Sequence, residues 1–453
     1  RVCTRVGARV EALGLGVAAG GSRLSLLLYA DDIVVLADSA RELQKMMRAV
    51  EGFCERWRMQ VNMSKTKVMK FGTRGVGTLK VVWKGKELEE VAEYKYLGML
   101  VEKGGRWKKT KAKMLRKARR AAAMAWNMAV RAGDMSVKGM VNMWTALVRP
   151  HLEYGAEVLN AHGDSKWDEA EKLARKIGRR VLKCGNRLPN ETIMGELGWM
   201  SMRGRRMLLR LSYWGKILQM DDGRWVKKVY EQGKARLEVN ADAKTWCNLT
   251  RRWLLELGLE DEWREQAVGK EWQEKLRSKI EDMEARNWRL SMVCKSKLKD
   301  YMKWKQKPEL EMYLQHRDVH QRRLWTKLRG GCLELRVETG RWERVTVGGK
   351  QVRIPRHLRK CKLCFGEAED ARHLLFRCPA FGQQRLTLTV QVGVSAPAKV
   401  AAAMRRVQEG GHEMEEMVVM HWMMTGGGHE VGMEGLDGMM RVRRKLLGEE
   451  GRK

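Results

Sequence analysis

A chain of 453 residues, 44% of them hydrophobic, can bury a sizeable core, enough for about three domains, and is too apolar to be disordered throughout. Ninety Lys and Arg against 55 Asp and Glu leave a net charge of +35, which calls for a polyanionic partner, nucleic acid before an anionic membrane. No apolar run nears the roughly 18 residues of a membrane helix, no signal peptide is visible, and nine cysteines with one tight cluster argue for a reducing compartment and one metal site rather than a disulfide framework.

In chain order, Leu24 to Leu28 and Ile33 to Leu36 are short apolar runs interrupted by "YADD", the pattern of two buried strands joined by a tight turn. Ser39 and Glu42 have capping-box spacing. Behind them Leu43, Met46, Met47, Val50, Cys54 and Trp57 recur at helical period, so one helix face should pack on the strands. "MQVNMSKTKVMKFG" is expected to form strand, turn and strand, and "EYKYLGMLV" one further short strand ending at Gly104-Gly105. Strands with a helix on one face make an α+β unit up to about residue 105. Residues 103–133 contain no Asp or Glu, and eight of the thirteen residues from Lys108 to Arg120 are Lys or Arg, a basic amphipathic helix. The chain should be mostly helical from about 107 to 325, and "GCLELRVETGRWERVTVGG" then turns to period two, a hairpin. Beyond Phe381 an alanine-rich helix precedes a Gly/Met tail with no expected element.

Three constellations carry chemistry. The apolar flanks of "YADD" put Asp31 and Asp32 at the edge of a sheet, where hard carboxylate oxygens suit Mg²⁺ and phosphoryl transfer. The plainer alternative is a surface hairpin whose aspartates favour the turn. In the basic helix, Lys108, Lys109, Lys111, Lys113, Arg116, Lys117, Arg119 and Arg120 could track a phosphate backbone; a solvated face is the alternative. "CKLCFGEAEDARHLLFRC" spaces Cys361, Cys364, His373 and Cys378 as C-x2-C-x8-H-x4-C, a closed Zn²⁺ set. His357, before the first cysteine, is a less well placed competitor. Lys360, Lys362, Arg372 and Arg377 around the cluster favour nucleic-acid contact. Most tryptophans between 199 and 345 have core spacing.

"YADD", the capped helix, "NMSKTKVMKF" and "YKYLG" stand in the order found in reverse transcriptases of non-LTR (LINE-type) retrotransposons, which this chain resembles. "LVRPHLEYGAEVLN" (147–160), "ELGWMSMRGRRMLLRLSYWGKI" (196–217) and "LELRVETGRW" (333–342) continue the match, which covers roughly residues 13–381. The resemblance implies that Asp31 and Asp32 are metal-binding catalytic carboxylates of the palm, Asp31 the stronger choice as direct ligand. It implies that Lys65 donates a proton to departing pyrophosphate and that Tyr96, Leu97 and Gly98 grip the primer end. The implied layout is a partial palm at 1–105, a basic thumb at 106–165, a helical connecting region at 166–328, a hairpin with a CCHC zinc finger at 329–385, and a tail at 386–453.

One departure matters. The family's further metal-binding aspartate and fingers lie upstream of the hairpin, and none of the 28 residues before Tyr29 matches them. With a sequence that begins at Arg1, this reads as the C-terminal portion of a longer polymerase or an incomplete gene model, inactive alone. The 75 residues after Cys378 hold no clustered acidic site, so no C-terminal nuclease is expected. The expected partners are an RNA template and a DNA primer or target, with Zn and, once the site is completed, Mg, in an intracellular ribonucleoprotein of nucleus or cytoplasm. A decayed or domesticated nucleic-acid-binding protein without polymerase activity is the second reading.

Overall fold

The computed structural model describes residues 2–72, 80–131, 133, 135–159, 165–242, 245–411 and 413–448. It holds two compact units, each discontinuous in sequence. One comprises Arg1–Ala118, Pro150–Ala170 and Arg203–Ile280; the other comprises Arg119–Arg149, Glu171–Met202 and Glu281–Lys453. No helix among the described residues is long and apolar enough to cross a membrane.

In the first unit, helix α1 (Val2–Glu11) precedes the short hairpin β1 (Val17–Ala19) and β2 (Ser22–Leu24). Strands β3 (Leu26–Tyr29) and β4 (Asp32–Val35) pair antiparallel, Leu26 opposite Val35 and Tyr29 opposite Asp32. Helix α2 (Ala40–Arg56) starts as expected, with Ser39 Oγ accepting from the Glu42 amide at 3.2 Å. Its buried face is Met46, Met47, Val50, Phe53 and Cys54; Trp57 is exposed and Phe53 takes its place. These residues close a core with Val6, Val10, Leu26, Val68, Val81, Trp83 and Leu88. The strand pair is not central to a sheet, as the apolar runs suggested. It is a two-stranded ribbon, and Leu27 and Tyr29 are exposed.

Two further expectations are corrected. Residues 59–71 form turns rather than strands. The Asn62 carboxamide accepts from Ser64 Oγ and the Lys65 amide, competing with extended pairing, and only Val68 makes a β-bridge, to Glu90. After the hairpin β5 (Val82–Trp83) and β6 (Lys86–Glu87), "EYKYLGMLV" is a hairpin rather than one strand. Its strands are β7 (Glu93–Tyr96) and β8 (Met99–Glu102), turned by Leu97 at φ 44° and Gly98 at φ 81°. Two consecutive positive φ values are what a two-residue turn needs, and the glycine supplies one at no steric cost.

The second unit is built on helices around a large apolar cluster that includes Trp325, Phe381, Met423, Leu436 and Met439. The hairpin expected from residue 331 onward is displaced. "LRVETGRW" forms short helical turns, and the strands are Arg344–Val347 and Lys350–Arg353. Beyond Phe381 the expected alanine-rich helix is Ala398–Gln408, preceded by the helix Gly382–Ser395; the expected shapeless Gly/Met tail is instead helical, in Glu413–Met424 and His429–Leu446. The glycines that suggested a loop are packing devices. A Cβ on Gly432 would lie 2.4 Å from the Trp325 ring, and one on Gly435 would lie 2.9 Å from Leu388.

Candidate active site and candidate metal centre

Asp31 and Asp32 stand exposed at the tip of the β3–β4 hairpin, whose two-residue loop is Ala30 and Asp31. Ala30 takes φ 52°, a left-handed conformation that costs an alanine about 1 kcal/mol, so the turn is held by its surroundings rather than by local preference. Burial and then the charge of Asp32 raise the Tyr96 hydroxyl pKa, which places the phenol within the field of that carboxylate. Lys65 is exposed on the Asn62 turn, and its carbonyl accepts from Tyr94 Oη of β7 at 2.8 Å. The structure therefore gathers the β3–β4 tip, the Leu97-Gly98 turn and the Lys65 turn in one unit. Among the described residues no third Asp, Glu, His or Cys joins Asp31 and Asp32 as a ligand set.

Sequence reasoning quoted but did not use Tyr154 and Gly155. Tyr154 Oη donates to the Leu97 carbonyl at 2.5 Å, and its ring lies where a Gly98 side chain would start, at 3.3 Å. A Cβ on Gly155 would come within 2.8 Å of Met99. The "LEYG" of residues 152–155 thus buttresses the turn at 97–98. Its signal was the ordered position of that motif, which named no contact.

Helix α3 (Lys108–Arg131) follows β8 directly. Thr110 Oγ1 accepts from the Leu100 amide at 3.0 Å and donates to its carbonyl at 2.5 Å, splicing the helix to the strand. Met114, Leu115 and Ala118 are buried as expected. Two of the eight expected phosphate-tracking cations have other surroundings. Lys111 is only 5% exposed, on the same face as Met114 and Leu115, and Lys109 pairs with Glu93. Lys108, Arg116, Lys117, Arg119 and Arg120 are exposed, and Lys113 half-buried.

The cysteine cluster assembles. One ligating atom from each of Cys361, Cys364, His373 and Cys378 lies within 4.8 Å of all the others. Cys361 and Cys378 sulfurs are 3.9 Å apart, and Cys364 Sγ is 3.3 Å from His373 Nε2. Tetrahedral Zn²⁺ with Zn–S near 2.3 Å separates two sulfurs by about 3.8 Å, so the donor set fits that ion. The local backbone shapes it. The Leu363 amide points at Cys361 Sγ at 3.4 Å, and the His373 amide donates to Asp370 Oδ1 at 2.9 Å. Glu367 lies 3.7 Å from His373 Nδ1, beyond hydrogen-bond reach. Burial pushes the Cys378 thiol pKa up to about 12, so a cation there must displace a firmly held proton. His357 is exposed and outside the cluster. Arg372 and Arg377, expected to meet nucleic acid, are paired with Glu413 and Glu416 of the helix Glu413–Met424; Lys360 and Lys362 remain exposed.

Residues 10–101, which hold the hairpins and helix α2, match the family model described as reverse transcriptase (RNA-dependent DNA polymerase). The RNA-directed DNA polymerase from the mobile element jockey of Drosophila melanogaster is 26% identical over 160 residues, 34% of this chain and 17% of that protein. The chain is thus similar to reverse transcriptases of non-LTR mobile elements. The jockey polymerase of Drosophila funebris is 25% identical over 160 residues, covering the same shares. An uncharacterised transposon-derived protein of Caenorhabditis elegans is 30% identical over 149 residues, 30% of this chain and 49% of that protein. The chain thus spans less than half the length of these relatives. The matched reverse transcriptase segment ends at β8, ahead of α3, so it includes the aspartate tip and the Tyr96–Gly98 turn and leaves the basic helix and the Cys/His cluster outside.

Proposed function

We propose that this chain serves RNA-templated DNA synthesis in a LINE-type element, with Asp31 and Asp32 as the Mg²⁺ ligands of its palm. The observation that carries the reading is the exposed aspartate tip beside the Tyr96–Gly98 turn, inside a segment matched by the reverse transcriptase family. Bound Mg²⁺ would neutralise the adjacent carboxylates and the developing charge of nucleotidyl transfer. Asp31 and Asp32 would hold it, the turn at 96–98 would seat the primer end, and Lys65 would deliver a proton to pyrophosphate. RNA template, DNA primer, bound Zn²⁺ and an intracellular ribonucleoprotein setting belong to the same proposal, as does a thumb role for α3.

Because no third ligating group among the described residues joins Asp31 and Asp32, this chain alone is expected to give no primer extension on an RNA template with Mg²⁺ or Mn²⁺. Template-dependent extension that disappears in Asp31→Ala would overturn that expectation. The same observation favours the second reading, a nucleic-acid-binding protein without polymerase activity. Genomic sequence directly upstream decides between them: an in-frame aspartate-bearing palm strand supports the polymerase, and a promoter with an initiator Met supports the binding protein.

Binding to nucleic acid should be electrostatic under either reading. Log K is expected to fall linearly with log salt, and reversing Lys108, Arg116, Lys117 and Arg120 to Glu should flatten the slope by about four phosphate contacts. Lys111→Glu should instead destabilise the fold, since its side chain is buried. An unchanged slope in the quadruple variant would leave α3 a solvated face.

A further inference from the structure

Within the second unit, a cavity of about 300 Å³ opens between the helix Val319–Arg329, the turns at 331–342 and the helix Glu413–Met424. Its floor is apolar: Leu328, Leu333, Leu335, Met420 and Met424 are all buried. Its charged lining has an excess of cations: Lys297, Lys303, Arg341, Arg356, Arg359 and Arg372 against Asp300, Glu338 and Asp370. Four of the cations are matched by acids: Lys297 and Arg341 by Glu338, Lys303 by Asp300, Arg372 by Glu413. Arg356 and Arg359 have no carboxylate within 4.0 Å among the described residues. Arg359 is held in place, with Nε donating to the Ile354 carbonyl at 3.1 Å and Nη1 to the Val337 carbonyl at 2.5 Å.

We propose that this cavity binds one unpaired nucleotide of a nucleic-acid strand, its base on the apolar floor and its phosphate on Arg356 and Arg359. The proposal rests on the nucleic-acid reading above and adds a site and a mode to it. Size and polarity choose the ligand. A cavity of this volume takes a base with its sugar, and its apolar floor suits a flat ring. A phosphorylated side chain would satisfy the rim and leave the floor unfilled. The rim also wants an anion. Arg341, Arg356 and Arg359 line it together, and guanidinium groups so placed repel one another. A phosphate relieves that repulsion with charge-assisted bonds. The surface beyond the rim suits the next base of a strand. Trp342 is 68% exposed, with the Arg341 and Arg353 guanidinium carbons 5.8 and 5.0 Å from its ring centre. The exposed hairpin at 344–353 adds Arg344 and Lys350.

The test uses the full chain and a short single-stranded RNA carrying one 2-aminopurine. Its fluorescence is expected to change saturably on binding. Arg356→Glu should weaken that response at least about tenfold, the loss of one phosphate contact. Met417→Trp, at an exposed position of the lining, should block the cavity and abolish the response. Both variants should keep the salt-dependent duplex binding assigned to α3. Adenosine monophosphate that displaces the probe shows that free nucleotides also enter. Adenosine monophosphate that fails while unlabelled RNA competes shows that the strand is required. Either result supports the site. A response equal in parent and both variants, or displacement by a phosphoserine peptide in preference to RNA, would overturn it. If the parent fails to bind duplex at all, the broader nucleic-acid reading falls; if duplex binds and the fluorescence is indifferent, only this inference does.

Discussion

Cys361→Ser and Cys378→Ser should each remove one bound Zn²⁺ from the full chain and release the segment from about residue 355 to 381 into rapid hydrogen exchange. Structural zinc supplies on the order of 10 kcal/mol to small modules of this kind, more than any other single contact in the molecule could. The surroundings decide how far the damage spreads. Leu374, Leu375, Phe376 and Phe381 belong to the large apolar cluster of the second unit. Glu369, buried in the Cys/His segment, accepts from Arg443 of the terminal helix at 2.7 and 3.1 Å, and Arg385 donates to the Cys378 carbonyl at 2.9 Å. A peptide of residues 330–385 would lose these partners, so the full chain is the proper sample. His373→Ala should lower zinc content as the cysteine variants do, and His357→Ala should leave it unchanged, since only His373 Nε2 faces the sulfurs. Affinity should fall as pH falls, because thiolates must form before they bind. Cobalt gives the direct readout: three sulfurs and one nitrogen in a tetrahedron give intense visible absorption. A chain that stays colourless with Co²⁺, or keeps its exchange protection in excess chelator, would end the assignment.

The parts legible in sequence were those fixed over a short span. Ser39 and Glu42 set a helix start through one hydrogen bond three residues apart, and the Cys/His spacing set a ligand cluster within 18 residues. Periodicity carried the buried stripe of α3, yet it placed Lys111 on the wrong side. A lysine in a run of cations carries no sequence mark of which member lies on the buried side. The strands failed where side chains compete with pairing, as Asn62 does. They failed again where a turn sits inside an apolar run, as Leu97-Gly98 does, because the left-handed φ of Leu97 has no residue signature. The terminal helices failed for a long-range reason. Gly432 is glycine because Trp325, more than a hundred residues earlier in sequence, occupies the space of its side chain, and read alone such a glycine signals a loop. The same holds for Tyr154, which hydrogen-bonds Leu97 across 57 residues and packs its ring against Gly98.

Arg329→Met should cost the second unit about 3–5 kcal/mol, the usual loss when one partner of a buried ion pair is removed. Arg329 and Glu196 are both fully buried, joined by three contacts of 3.1–3.2 Å. Arg329 also reaches Glu311 at 3.1 Å and donates to the Met424 carbonyl. Without the guanidinium, the fully buried Glu196 carboxylate loses the counter-charge it is paired with. The double variant Glu196→Leu/Arg329→Met removes both charges and should recover much of the loss, since apolar replacement of a buried pair is often close to neutral. Glu311 adds a pH signature. Burial alone would raise its pKa, but His429 at 3.7 Å and the Arg329 and Lys305 charges outweigh burial and hold it down at about 2, against 4.5 for a free glutamate. A depressed carboxylate stabilises the fold above its unfolded pKa, and the contribution disappears as pH falls through the folded value. The window is therefore about pH 4.5 down to 2, and the amount is roughly 3 kcal/mol by linkage. Glu311→Gln should lose that amount at neutral pH and converge with the parent near pH 2. Hydrogen exchange of the amides in the helix Val319–Arg329 reads the local stability without assuming that both units unfold together. Equal protection in Arg329→Met and the parent, or a Glu311→Gln deficit that persists undiminished at pH 2, would show that this network does not hold the helix in place.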